Sequence, residues 1–247
     1  MPETSAAATE TVAKDAGDIE RIRARILAAH QKEGVTVGAT YAPWSHDKVF
    51  WGAQRAILGH SLVDIVRCWE LWNLVEEAAK IDGDIIEVGV WRGGTGCLMA
   101  TRAQMLSKQC EVFLCDTFTG VVKSGPEDTY HDGMHSDTGI ETVQALLAKN
   151  GVTNCRILTG IFPDETGHTI ADRRFSLCHI DVDVYESARS VFNWVWPRMP
   201  RGGIVVFDDY GSASTTGITM LCDELRSGSD RVFIQNVNGH AVFVKTS

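Results

Sequence analysis

Two apolar segments of the sequence end in pairs of aspartates. In "CHIDVDVYES" the pair is Asp181 and Asp183, and in "VVFDDYG" it is Asp208 and Asp209. Adjacent parallel strands end roughly 5 Å apart, so these carboxylates would repel one another and raise one another's pKa unless a cation lies among them. Ligand sets made only of oxygen favour Mg²⁺, with Ca²⁺ or Mn²⁺ as substitutes. We therefore predict a metal site formed by Asp181, Asp208 and Asp209.

A metal ion at this place would serve a particular chemistry. Mg²⁺ keeps open or water-filled positions, so substrate hydroxyls can bind it and lose a proton more readily, as an alcohol must before it acts as a nucleophile. We predict Asp181 and Asp183 as catalytic residues, with Asp183 either a ligand or a proton acceptor beside the metal. The alternative for each acid is a cap or turn residue, a role that Asp favours.

A glycine-rich turn, "EVGVWRGGTG", follows the apolar segment "DIIEV". A dinucleotide-binding G-x-G-x-x-G motif would need glycine where Trp91 stands, and a phosphate-binding loop would need Lys and then Ser or Thr after its last glycine. Gly89 allows a tight turn, and Gly93 opens the next helix without a side chain near a ligand. These features predict a nucleotide-type ligand at this turn.

Two acids accompany the glycine turn. Glu87 lies at the strand end, where it can accept a hydrogen bond from an ammonium group, and Asp116 ends the segment "LCDTF", where it can bind both hydroxyls of a ribose. Glu87 could instead be a surface acid, and Asp116 a helix cap. In a doubly wound sheet the ligand lies over the carboxyl ends of the strands, which is where these residues fall.

Strand and helix patterns alternate along the chain, and these elements must position the residues named above. Such alternation predicts a mostly parallel sheet with helices on both faces. The segments "RVFIQNV" and "HAVFVK" flank Asn238 and Gly239, which predicts an antiparallel hairpin at the end of the sheet. This α/β layout is typical of the Rossmann-like sheet of class I methyltransferases, which use S-adenosylmethionine. The predicted strands are "DIIEV", "EVFLCD", "CRILTG", "FSLCHID" and "GIVVFDD", and the predicted helices cover 94–107, 140–149, 164–172, 187–199 and 216–226.

We predict one domain overall, with a disordered tail over 1–17, a helical arm and substrate-side elements over 18–80, and a catalytic domain over 81–247. Asp18 can cap an amphipathic helix. The segment "GVTVGATYAPWSHDKVFWG" has no period and is predicted as a loop that orders over the site. A helix is predicted over 61–80, with its inner side formed by Leu62, Ile65, Trp69, Trp72 and Val75 or Ala79.

Several aromatic side chains precede the sheet. Trp69 and Trp72 lie on the predicted helix and are expected in the core. Trp44 and Trp51 lie in the irregular segment, where stacking on a sugar ring and simple packing are both open.

Composition excludes several classes of function. The 247 residues carry a formal net charge of −9 without a cluster of Lys and Arg, so we expect no nucleic-acid partner. No apolar run reaches the roughly 18 residues of a membrane span, and the N-terminus lacks a secretory pattern, so we expect a cytoplasmic protein without membrane contact. Seven scattered cysteines, none in a C-x-x-C spacing, are expected to be free thiols.

The motifs "IIEVGVWRGGTG", "CDTFTG", "LTGIFPDE", "HIDVDVYESA" and "RGGIVVFDDYG" occur in this order over 84–211. In these motifs the chain resembles the macrocin O-methyltransferase family, whose members methylate deoxysugar hydroxyls of macrolides and related natural products. The resemblance implies S-adenosylmethionine as methyl donor, Mg²⁺ as cofactor, a small-molecule glycoside as acceptor, and a homo-oligomer, dimer or tetramer.

The resemblance also implies roles for individual residues. Asp181, Asp208 and Asp209 match the metal-binding acids, while the family has a DGD-type sequence where this chain has Val182 between Asp181 and Asp183. The implied donor site has Glu87, Gly89 and Thr95 at the methionine end, Asp116 at the ribose, and Ile161 and Phe162 near the adenine. Gly93 and Thr117 are also predicted to bind the donor.

A long polar segment, "TGVVKSGPEDTYHDGMHSDTG", is predicted to close over the site and exclude water. His131 and His135 within it are candidate bases, and His135 joins the predicted catalytic set. Either histidine could instead be an ordinary surface residue.

Three other functions remain open. A Mg²⁺-dependent enzyme that methylates catechols or phenols would use the same acids, with a vicinal phenol pair at the metal. A dinucleotide-dependent oxidoreductase is disfavoured by Trp91 and by the terminal hairpin. A catalytically silent protein that binds the donor is disfavoured because every acid is present.

Overall fold

The computed structural model describes residues 41–247, and the chain divides into two units, 1–47 and 48–247. The predicted tail over 1–17 and the predicted helix at Asp18 lie outside the described residues. The described part of the first unit contains a short 3₁₀ helix, Pro43–His46, and the ring of Tyr41 meets that of Trp44 edge to face at 5.9 Å.

The second unit contains a seven-stranded sheet with the order β3-β2-β1-β4-β5-β7-β6. The first five strands are parallel, and β7 runs antiparallel between β5 and β6. This confirms the predicted class I methyltransferase layout with a C-terminal antiparallel hairpin. The strands are β1 (Asp84–Val88), β2 (Val112–Asp116), β3 (Cys155–Thr159), β4 (Phe175–Ile180), β5 (Ile204–Phe207), β6 (Arg231–Gln235) and β7 (Ala241–Lys245).

Six α-helices accompany the sheet in the described part of the chain. Most lie where the sequence predicts them, but the segment predicted as a helix over 164–172 forms only a 3₁₀ turn, Gly167–Ile170. The helices are α1 (Lys48–Ala56), α2 (Ile65–Ala78), α3 (Gly94–Met105), α4 (Ile140–Lys149), α5 (Tyr185–Val195) and α6 (Thr216–Leu225). None of the helices in residues 41–247 is both long and apolar enough to cross a membrane.

The predicted loop over 34–52 was wrong in its last part, because α1 begins at Lys48; residues 34–40 lie outside the described range. Phe50 explains this helix, since its buried ring packs edge to face against Trp69 at 4.9 Å and Trp72 at 5.8 Å. Burial of Phe50 against these rings stabilises α1. Trp72 is fully buried, as predicted.

The start of the next helix was also predicted too early. Leu62 is 69% exposed and precedes α2. The N-cap of α2 is Asp64, whose carboxylate accepts hydrogen bonds from the backbone N–H groups of Val66 and Arg67. This cap fixes the start of the helix, so Leu62 belongs to the preceding loop. The buried residues of α2 are Cys68, Leu71, Trp72, Val75 and Ala78.

The two faces of the sheet differ in chemistry. On one face, Phe207 and Phe243 meet edge to face at 5.7 Å and belong to an apolar core that also includes side chains of α5 and α6. On the other face, Glu87 of β1 and His179 of β4 are register partners, and both are completely buried. All seven cysteines are free thiols, as predicted, and only Cys110 and Cys155 are partly exposed.

Candidate functional site

A cavity of about 180 Å³ lies at the carboxyl ends of the parallel strands. The structure brings most of the predicted site residues to its wall, including all four aspartates, whereas Glu87, Gly93 and His131 do not line it. The predicted residues that line the cavity are Gly89, Thr95, Asp116, Thr117, His135, Ile161, Phe162, Asp181, Asp183, Asp208 and Asp209.

The turn after β1 requires glycine. Gly89 has a φ of +92°, and a Cβ at this position would lie 1.7 Å from the carbonyl oxygen of Asp181. Gly93 has a φ of +86° and stands at the N-cap of α3, where a Cβ would lie 2.9 Å from a methyl group of Val143. The end of β1 therefore lies directly against the segment that carries the acids.

Asp116 holds this turn in place. Its Oδ2 accepts hydrogen bonds from the backbone N–H groups of Val90 and Trp91 at 2.7 Å each, and its Oδ1 accepts one from Phe118 at 2.6 Å. Burial raises the pKa of Asp116, although the backbone donors oppose this shift. The same carboxylate faces the cavity, where the sequence predicts that a ribose binds.

Glu87 lies behind the cavity wall. Its Oε1 is 2.9 Å from Nδ1 of His179, and a Cβ on Gly96 would come within 2.5 Å of its Oε2. The carboxylate is thus packed under the first turn of α3, next to the buried Thr95. Contact with an ammonium group of a donor stays a prediction.

Phe162, Ile161 and Thr117, the other residues predicted for the donor, also line the cavity. Phe162 is buried and its ring meets that of Trp194 edge to face at 4.9 Å, while the backbone N–H of Ile161 donates to Glu165 at 2.8 Å. Thr117 donates a hydrogen bond from Oγ1 to the carbonyl of Gly120 at 2.9 Å. An apolar wall with a few oriented polar groups is suited to a planar ring such as an adenine.

Three carboxylates that line the cavity lie close together. Asp181, Asp183 and Asp209 each offer one oxygen, and these oxygens lie within 4.8 Å of one another. Burial, followed by the charges of Asp209 and Asp208, raises the pKa of Asp183 to about 7. Burial and the same neighbours raise the pKa of Asp181 well above its ordinary value.

The backbone presents two of these acids in an unusual conformation. Asp183 has a φ of +64° and Asp209 a φ of +62°. These values lie in the left-handed region of backbone conformation, which residues other than glycine seldom adopt. Such conformations concentrate at functional sites, where the surrounding fold maintains them.

Asp208 has different surroundings. Nη1 of Arg67 lies 2.7 Å from Oδ1 of Asp208 and 2.7 Å from Oδ1 of Asp209. Nε2 of His240 lies 3.0 Å from the same Asp208 oxygen, at ion-pair distance without the alignment of a hydrogen bond. Burial alone would raise the pKa of Asp208, but His240 and Arg67 hold it well below its ordinary value.

The polar segment between β2 and α4 contributes an aromatic pair. The rings of Tyr130 and His135 stack with their centroids 5.5 Å apart, and both residues line the cavity. Burial, and then the charge of Asp183, raises the pKa of Tyr130. His131 is exposed and lies away from the cavity, so His135 is the histidine of this segment that faces the site.

The basic partners of the acids were not predicted from the sequence. Arg67 lies 141 positions before Asp208, and His240 pairs with Glu70 across 170 positions. No local pattern connects such residues. The single available signal is that Arg67 and Glu70 lie three positions apart, which places them on one side of a helix.

A glycine turn, a strand-end acid and an acidic cluster in one cavity of this sheet define a class I methyltransferase that uses S-adenosylmethionine. The model of the macrocin-O-methyltransferase (TylF) family matches residues 4–245. The chain therefore belongs to this family and is an O-methyltransferase.

Curated relatives support this assignment. The chain is 28% identical over 175 residues to a mycinamicin III 3''-O-methyltransferase of Micromonospora griseorubida, covering 64% of this chain and 68% of that protein. It is 30% identical over 166 residues to an 8-demethyl-8-(2,3-dimethoxy-alpha-L-rhamnosyl)-tetracenomycin-C 4'-O-methyltransferase of Streptomyces olivaceus, covering 62% and 63%. The second match thus spans less than two thirds of the relative.

Solved structures show the same fold. The O-methyltransferase NovP matches with a TM-score of 0.65 and 23% identity, over 76% of this chain and 83% of that one. The calicheamicin methyltransferase CalS11 matches with a TM-score of 0.59 and 16% identity, over 87% and 98%. At these identities the likeness establishes the fold alone.

Proposed function

We propose that this protein transfers the methyl group of S-adenosylmethionine to a sugar hydroxyl of a glycosylated natural product, in the biosynthesis of an antibiotic or related metabolite. The observation that carries the proposal is that the glycine turn and the acidic cluster share one cavity. The names of the relatives favour a sugar acceptor over a catechol or phenol. We further propose that the enzyme acts in the cytoplasm. We also propose that it forms a dimer or tetramer, and light scattering of the purified protein would test this oligomeric state.

The acids fit a hard cation. Among residues 41–247, no basic side chain forms an ion pair with Asp181 or Asp183, and burial and mutual charge raise the pKa of both. We propose that Asp181, Asp208 and Asp209 would hold Mg²⁺, with Asp183 beside them. When bound, the ion would supply positive charge that makes an acceptor hydroxyl more acidic.

Methyl transfer from a sulfonium is an in-line displacement that neutralises charge, so positioning of the reactants dominates its rate. The turn at Gly89 would place the donor against the segment that carries Asp181. Asp183 lines the same cavity beside the proposed metal ligands, so its carboxylate is placed to accept the proton of the acceptor hydroxyl. His135 is the alternative base, since it lines the same cavity.

The donor half of the proposal is tested with Asp116→Ala. We expect this change to weaken binding of S-adenosylhomocysteine about 10- to 100-fold, because hydrogen bonds to a charged group contribute about 1.5–3 kcal/mol each. Isothermal titration calorimetry measures the affinity, with NADH as a control ligand. Asp172→Asn, a change of an exposed acid outside the cavity, serves as the matched control. Unchanged affinity in Asp116→Ala, or a preference for NADH, would contradict the donor site.

The acceptor half is tested by competition between acceptors. Purified protein with S-adenosylmethionine and Mg²⁺ is offered deoxysugar glycosides and catechols in parallel, and methylated products are identified by mass spectrometry. We expect methylation of a glycoside hydroxyl and at most trace methylation of the catechols. Turnover of catechols alone would favour the phenol-type enzyme instead.

A further inference from the structure

A buried imidazole links two carboxylates behind the cavity. His240 is completely buried, with Nδ1 lying 2.7 Å from Oε2 of Glu70 and Nε2 lying 3.0 Å from Oδ1 of Asp208. The histidine directly precedes β7, whereas Glu70 belongs to α2 and Asp208 follows β5. Three separate elements therefore meet at one ring.

Glu70 is itself held firmly. Its Oε2 accepts a hydrogen bond from Asn238 at 2.6 Å, and its Oε1 accepts one from Asn236. The backbone N–H of His240 in turn donates to Oδ1 of Asn238 at 3.0 Å. Glu70 therefore anchors the turn of the β6–β7 hairpin to α2 and fixes the orientation of the imidazole.

The same helix reaches Asp208 by a second route. Arg67, one turn before Glu70, contacts Oδ1 of Asp208 at 2.7 Å, and its Nε donates to Asp64 at 2.8 Å. Among residues 41–247, the partners of the Asp208 carboxylate thus lie at a single oxygen, Oδ1. These contacts hold the carboxylate at Oδ1 and do not engage its other oxygen.

We propose that His240, oriented by Glu70, is a positioning residue that fixes the Asp208 carboxylate for binding of the divalent cation. The inference rests on the proposed function, in which Asp208 is a ligand. Groups that orient a metal ligand commonly change metal affinity 10- to 100-fold when they are removed. A carboxylate that is held at one oxygen cannot rotate freely, so less conformational entropy is lost when the cation binds.

The competing explanation is that His240 only fastens the hairpin to Glu70. Two substitutions separate these roles, because the amide nitrogen of glutamine reaches about as far as Nε2 and that of asparagine about as far as Nδ1. His240→Gln retains a donor toward Asp208, and His240→Asn retains a donor toward Glu70. Positioning of Asp208 predicts rescue by Gln, whereas fastening of the hairpin predicts rescue by Asn.

The experiment is a calorimetric titration of the full chain with Mg²⁺, repeated with Mn²⁺, in the presence of S-adenosylhomocysteine. We expect His240→Asn to weaken metal affinity about 10- to 100-fold and His240→Gln to weaken it by less than about threefold. Binding of S-adenosylhomocysteine without metal is measured for each variant and is expected to stay unchanged. His168→Asn, at an exposed histidine, is the matched control.

The remaining outcomes are decisive against the inference. Equal metal affinity in wild type and His240→Asn would overturn it while leaving the proposed function intact. Rescue by Asn rather than Gln, with thermal unfolding temperatures in the same order, would assign His240 to the hairpin. A wild-type protein that binds S-adenosylhomocysteine but no divalent cation would overturn the metal part of the proposed function together with this inference.

Discussion

Replacing Asp209 with asparagine is expected to lower Mg²⁺-dependent methyl transfer about 10³-fold, since a bound cation contributes several kcal/mol to the transition state. Asp209 is one of three carboxylates whose oxygens lie within 4.8 Å of one another. It also shares the Arg67 guanidinium with Asp208. Binding of S-adenosylhomocysteine should remain nearly intact, because the predicted donor contacts lie at Gly89 and Asp116.

Initial rates at saturating donor and acceptor measure the loss, and calorimetry with S-adenosylhomocysteine checks the donor site. Asp172→Asn removes the same charge at an exposed position outside the cavity and should retain full activity. A fully active Asp209→Asn protein would refute a metal role for this residue.

Gly89→Ala is expected to destabilise the protein by about 4 kcal/mol or more, at the upper end of single-residue effects. The Cβ would lie 1.7 Å from the carbonyl oxygen of Asp181, which is a backbone atom and cannot move aside by a rotamer change. The φ of +92° adds strain for any residue with a side chain. Relief requires β1 and β4 to separate where they pair, so donor binding should fall as well.

Urea unfolding followed by circular dichroism measures this change. Gly52→Ala is the matched control, since Gly52 lies in α1 and nothing comes within 4 Å of the added Cβ. Alanine at an unobstructed helical position should stabilise by about 0.5–1 kcal/mol. Equal stability of Gly89→Ala and wild type would show that the β1 turn tolerates a side chain.

Elements with a strong local pattern were predicted well from the sequence. The strand "DIIEV" coincides with Asp84–Val88, and the helix predicted over 140–149 coincides with Ile140–Lys149. A continuous apolar run indicates a strand buried on both faces, and a helical period indicates a helix with one buried side. The Asn238-Gly239 turn predicted the hairpin because few sequences favour that turn so strongly.

Elements that depend on distant partners were predicted poorly. Helix α1 was missed because its residues were taken together with the irregular Gly- and Pro-containing segment before them, although they have a helical hydrophobic period of their own. Burial of Phe50 against Trp69 and Trp72 stabilises this helix. Leu62 was expected in the core and is exposed, because the Asp64 cap delays the start of α2. Tertiary packing thus overrides local preference where the local pattern is weak.

The sequence by itself determined that this chain is a class I methyltransferase with a glycine turn after β1 and four aspartates at the ends of β4 and β5. These features are local, since each depends on residues close together in the chain. Only the tertiary structure decided which of the four acids have basic partners and in which direction their pKa values shift. Asp208 is contacted by Arg67, which lies 141 positions earlier in the chain, and by His240, which lies more than 30 positions later. Among the described residues, Asp181 and Asp183 have no such basic partners. The pKa of Asp208 is lowered and that of Asp183 is raised because charge and burial depend on neighbours in space, which the order of residues does not specify.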